Sequence, residues 1–114
     1  MNRHERRKQK KVVTGASAGQ NELLKAIQLH THKDLNRAEI LYKNIILKDP
    51  KNYDAIRHLG ILRQDLGDYE GAYENYLKCI KIRPDGYEAL NNLDAFHLRN
   101  KNHQLALKSY TPQI

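Results

Sequence analysis

An all-α fold built from helix pairs is predicted for this chain by three observations. Residues of one type recur every 34 positions, apolar residues within each repeat fall at helical spacing, and turn-forming residues punctuate them at fixed places. Ala38, Ala72 and Ala106 share the spacing, as do Tyr42, Tyr76 and Tyr110, and Asp34, Asp68 and Asn102. Pro50/Pro84, Tyr53/Tyr87, Ala55/Ala89 and Leu59/Leu93 keep the same register. One shared spacing arises by chance; this many in register is a repeat.

Residues 1–18 read as a basic flexible tail and linker. Arg3, Arg6, Arg7, Lys8, Lys10 and Lys11 face only Glu5, which places +5 of the chain's net +7 in the first eleven residues. Such a run can hold phosphates or anionic lipid by counterion release. It has no aromatic ring for base stacking and no apolar face for membrane insertion. A solvated terminus is the simpler reading, and nucleic-acid or anionic-surface contact is the alternative. Thr14 to Gln20 (TGASAGQ) is small and polar, the composition of a flexible linker.

The first repeat, residues 19–52, is degenerate. A helix is expected near Asn21 to His30 from Leu23, Leu24, Ala26, Ile27 and Leu29, and a second from Leu35 to Lys48, ending at Asp49-Pro50. The second repeat, residues 53–86, is the clearest. Ala55, Ile56, Leu59, Ile61, Leu62 and Leu66 define one helix, and Gly67-Asp68 supplies a left-handed C-cap followed by an N-cap. Ala72, Tyr76, Cys79, Ile80 and Ile82 define the next helix, which Pro84 ends. Small Ala72 and Cys79 permit close helix approach, with Tyr76 filling the space beside them. The third repeat, residues 87–114, keeps Ala89, Leu90 and Leu93 but has Asp94 where a glycine stands in the second. A turn is expected at Asn100-Lys101-Asn102, with a last, incomplete helix from about His103 carrying Ala106 and Tyr110.

Ile56, Leu59-Gly60, Arg63, Ala72, Tyr76 and Pro84 resemble the signature of the tetratricopeptide repeat, from about Gly19 to Tyr110. Ile56 replaces the usual large aromatic and Arg63 the usual tyrosine. The resemblance implies a right-handed superhelix, an α-solenoid of about three helix-turn-helix pairs with the last truncated. It also implies a concave groove lined by the first helix of each pair. Mapped onto this chain, the groove residues are Leu23, Ile27, Arg57, His58, Ile61, Asn91, Asn92, Ala95 and Leu98. Some members clamp the C-terminal carboxylate of chaperone tails. At those places stand Leu23, Ile27, His58, Glu88 and Asn92, of which only Asn92 suits the clamp. The apolar strip Ile27–Ile61–Ala95 instead suits an amphipathic helix or an extended apolar peptide.

No catalytic constellation is legible. His30 and His32, His58, His97 and His103 have no carboxylate or cysteine at ligand spacing, and there is no HExxH or CxxC, so no metal and no cofactor are expected. Cys79 is a single cysteine in a small-residue place with no identifiable base, so a packed thiol is expected. No apolar run approaches the eighteen or so residues that span a bilayer, and no signal peptide is readable, so a cytoplasmic protein is expected.

The expected work is therefore protein–protein interaction, as scaffold or adaptor for a peptide or helix of unspecified identity. Two alternatives stand beside it. The basic tail binds nucleic acid or an anionic surface, or the repeats are the regulatory front of a longer enzyme such as a glycosyl-, sulfo- or methyltransferase. The last apolar face lacks a polar capping helix, so a homo-oligomer through that end is also expected as an option.

Overall fold

A computed structural model describes residues 18–110 and the side chains of residues 20–101. It is all-α: among the described residues there are five helices and no strand. They divide into two compact units, Met1–Pro50 and Lys51–Ile114. None of the described helices is long and apolar enough to cross a membrane.

The first unit is a hairpin of α1 (Ala18–Thr31) and α2 (Leu35–Lys48). Ala18–Gln20, expected in the linker, form the first turn of α1. Thr14–Ser17 and the basic tail lie outside the described residues. Ala26, Ala38 and Tyr42 are fully buried, so two small residues let the helices close around one large ring. The Tyr42 hydroxyl is not stranded by its burial, because His30 Nδ1 lies 3.1 Å from it. Asp34 caps α2 by accepting from the Arg37 amide.

The turn between the helices uses an unexpected residue. Lys33 adopts φ 69°, and the Asp34 amide reaches back to Leu29 O at 2.9 Å. A side chain in this left-handed region costs about 1–2 kcal/mol, which the packing beneath it offsets. Lys33→Gly is therefore expected to stabilise the first unit by roughly 0.5–1 kcal/mol, net of glycine's larger entropy in the unfolded chain. Urea unfolding of both proteins measures it.

The second unit contains α3 (Tyr53–Asp65), α4 (Tyr69–Ile82) and α5 (Tyr87–Tyr110). Asn52 caps α3 through the Ala55 amide at 3.0 Å, and Asp68 caps α4 through the Gly71 amide at 3.0 Å. Between them Gly67 takes φ 87°, the conformation for which glycine has no steric penalty. Gly60 serves a different need. A Cβ there would stand 2.9 Å from Tyr76 Cε1 and 3.0 Å from Asn75 Cβ, so the missing side chain lets α4 lie against α3. Ala72, Tyr76 and Phe96 form a buried cluster, with Ile61 and Leu93 packed on it.

The third pair departs from expectation. No turn forms at Asn100-Lys101-Asn102; α5 runs through it as one helix of 24 residues. Two physical reasons coincide. Lys101 stands 34 residues beyond Gly67 and 68 beyond Lys33, so a turn would again force a side chain into the left-handed region. Asp94 stands where Ala26 and Gly60 are buried, and its carboxylate is exposed. The close approach that repays the strained turn at Lys33 is thus denied, and helix propagation wins.

Candidate functional site: the face of α3 and α5

Within the second unit the helix caps and the Gly60 contact fix α3, and α5 is tied to it through two side-chain links. Tyr53 sits at the start of α3, and its hydroxyl accepts from the Ala89 amide at 2.9 Å and donates to Glu88 Oε1 at 3.2 Å. Burial raises its pKa above the usual value, and the Arg83 guanidinium lies 4.1 Å over its ring. One turn along the same face, Arg57 Nη1 donates to Asn92 Oδ1 at 3.0 Å.

Arg57 is the unusual group. Its Nη2 lies 3.4 Å from His58 Nε2, and its Nε is buried with no acceptor. No carboxylate lies within ion-pair distance of it among the described residues, whereas the three described ion pairs sit on exposed Arg37, Lys43 and Lys48. A half-buried guanidinium joined to an amide oxygen and an imidazole has no carboxylate beside it among the described residues. The guanidinium offers N–H donors and a positive charge with no acid beside it among the described residues, an arrangement suited to a carboxylate or another anion.

The other expected groove residues divide. Asn91, Ala95 and Leu98 are exposed on α5, while His58 is half-buried beside Arg57. Ile61, expected on an open apolar strip, is half-buried against the Ala72–Tyr76–Phe96 cluster, so part of its surface is already used in packing. Leu23 and Ile27 are half-buried on α1, in the first unit. The tail cations Arg3, Arg6, Arg7, Lys8, Lys10 and Lys11 lie outside the described residues.

Two features carry no signal in the repeat pattern. Asn75 is buried, donating to Ile56 O at 2.9 Å and accepting from Arg63 Nη1 at 3.1 Å. Arg63 thereby ties α3 to α4 by a hydrogen bond. An open pocket of about 270 Å³ also lies between α4 and α5, lined by Tyr69, Glu70, Tyr73, Phe96, His97 and Asn100.

Among the described residues no group of histidine, cysteine and carboxylate side chains could hold a metal ion. Cys79 is buried, its Sγ 3.5 Å from Tyr53 O, and burial pushes its pKa up to about 11. Burial likewise pushes Tyr76 up to about 12, while its hydroxyl donates to Gln64 at 2.9 Å. Both groups hold a proton in the folded state that the unfolded chain releases near pH 9 and 10. Stability of the second unit is therefore expected to be level below about pH 9 and to fall as pH rises toward 12. Tyr76→Phe combined with Cys79→Ala should flatten that fall in urea unfolding at stepped pH.

No protein-family model matches this chain, and no curated protein sequence matches it.

Proposed function

We propose that the chain is a tetratricopeptide-like interaction module, a scaffold or adaptor. In this reading the first helices of its pairs line one side of an α-solenoid. The face of α3 and α5 holds a protein segment that presents an acidic group. The observation that carries it is Arg57: half-buried, bonded to Asn92 and His58, and without a carboxylate partner. Nε itself is closed to a ligand, but a ligand carboxylate at the accessible part of the guanidinium supplies the countercharge that no described side chain gives. Glu88, one turn earlier on α5, repels a second acid and orients the ligand so that its carboxylate meets Asn92 and Arg57. Exposed Ala95 and Leu98 extend the face for apolar contacts. Ile61 contributes only what its packing leaves open.

The test is to pan a displayed random-peptide library on the full chain and on Arg57→Gln. Peptides enriched on the native chain should share an aspartate, a glutamate or a free C-terminus. Losing one charge-assisted bond pair, worth about 1.5–3 kcal/mol, should weaken them roughly tenfold to a hundredfold on the variant. Enrichment of peptides without an acid, held equally by both baits, would sink the reading.

The charge of residues 1–11 supports a second reading, in which the tail binds nucleic acid or an anionic surface. Its mark is binding that falls steeply with salt and disappears when those residues are removed.

A further inference from the structure

The pocket between α4 and α5 is walled by aromatic rings that the repeat does not require. Tyr73 lies nearly parallel to Phe96, at 24° and 6.0 Å between centroids, and Tyr69 is tilted against the same ring at 6.2 Å. His97 meets Tyr73 and Phe96 edge-on at 5.8 and 5.7 Å. Phe96 is 4% exposed and forms the floor, whereas Tyr69 and Tyr73 remain 41% and 38% exposed. The matching places on α2, 34 residues earlier, hold Leu35 and Glu39, and Glu39 pairs with Lys43 at 3.4 Å. The two open tyrosines are therefore particular to α4.

Charge adds to the rings. Glu70, in the first turn of α4, is the one carboxylate among the residues described along the pocket wall. It is exposed and makes no ion pair among the described residues, whose three ion pairs use Glu22, Asp34 and Glu39. Aromatic faces carry negative potential, and a carboxylate beside them deepens it, so the pocket attracts a cation. Its volume of about 270 Å³ lies below the ~300–1,000 Å³ of usual small-molecule sites, and its mouth is open. One side chain of a larger partner suits those dimensions.

We propose that this pocket seats an arginine side chain of a partner protein, its guanidinium against the tyrosine rings and its N–H groups toward Glu70. Arginine is the cation that fits both features at once. Its planar head stacks on aromatic faces, and its fork of donors matches a carboxylate. Lysine brings the charge without the plane. The rings are held by one another and Phe96 by the core cluster, so little order has to be gained on binding. The site uses α4 rather than α3 and is independent of Arg57.

The chain has a single phenylalanine, so 4-fluorophenylalanine labelling places one fluorine on the pocket floor. Fluorine NMR of the full chain, titrated with N-acetyl-arginine amide at low salt, reads binding at Phe96. The signal should move saturably. N-acetyl-citrulline amide keeps the shape without the charge and should bind about fivefold to thirtyfold more weakly. Glu70→Gln should weaken the arginine probe about twofold to fivefold and leave the citrulline probe unchanged. Tyr73→Leu should remove most of the preference for arginine with helical circular dichroism intact. Should that variant lose its helical signal, Glu70→Gln at its exposed position decides. No saturable movement, equal binding of arginine and citrulline, or tighter binding of N-acetyl-leucine amide overturns the proposal. So does an arginine affinity indifferent to Glu70.

Discussion

Tyr76→Ala is expected to lower the stability of the second unit by about 3–5 kcal/mol, the range for removing a large aromatic side chain from a packed core. Tyr76 is almost fully buried and meets Phe96 edge-on at 6.0 Å between ring centroids. It fills the space that Gly60 opens, and its hydroxyl reaches Gln64. Truncation leaves a cavity bounded by two helices that Asn75 still ties together, so collapse is incomplete. Small domains have only about 5–15 kcal/mol in total, so the variant should be marginal. Tyr76→Phe separates the terms: it keeps the ring and loses one hydrogen bond, for about 1 kcal/mol. Urea midpoints of the three proteins give both numbers.

Gly60→Ala should destabilise the same unit by about 1–3 kcal/mol, the cost of overpacking. The sign is informative, because alanine is the better helix former by about 1 kcal/mol. Helix propensity alone therefore predicts the opposite result. The added Cβ would stand 2.9 Å from Tyr76 Cε1 and 3.0 Å from Asn75 Cβ, so α4 must move outward. Ala26 is fully buried at the matching place of the first hairpin, so the movement required is small rather than disruptive. In a Tyr76→Leu background the same substitution should become neutral or favourable. That coupling, read from a double-mutant cycle, assigns the cost to the ring contact.

The spacing of alanine and tyrosine made the two hairpins legible, because Ala38/Tyr42 and Ala72/Tyr76 meet the same packing requirement in both units. The turn residues misled. Gly67 announced its turn, but Lys33 makes one without glycine, and Asn100-Lys101-Asn102 makes none despite keeping the register. A turn forms when the packing beyond it repays the strain, and that depends on Asp94, a residue outside the turn. At the candidate site, Arg57 and Asn92 were identifiable as members of one face. Their mutual bond and the missing carboxylate were not, since both depend on distances between helices. Ile61 lies at the edge between the open face of α3 and the core. Periodicity does not separate those two environments.

Calorimetric titration of a selected acidic peptide tests the central claim most directly. It would be run against the native chain and Arg57→Gln, with the peptide acid present or changed to its amide. If Arg57 holds that carboxylate, each single change should cost roughly tenfold to a hundredfold, and the second change should add little, a coupling of about 1.5–3 kcal/mol. Single changes that simply add, or an affinity indifferent to Arg57, would contradict recognition through the face of α3 and α5.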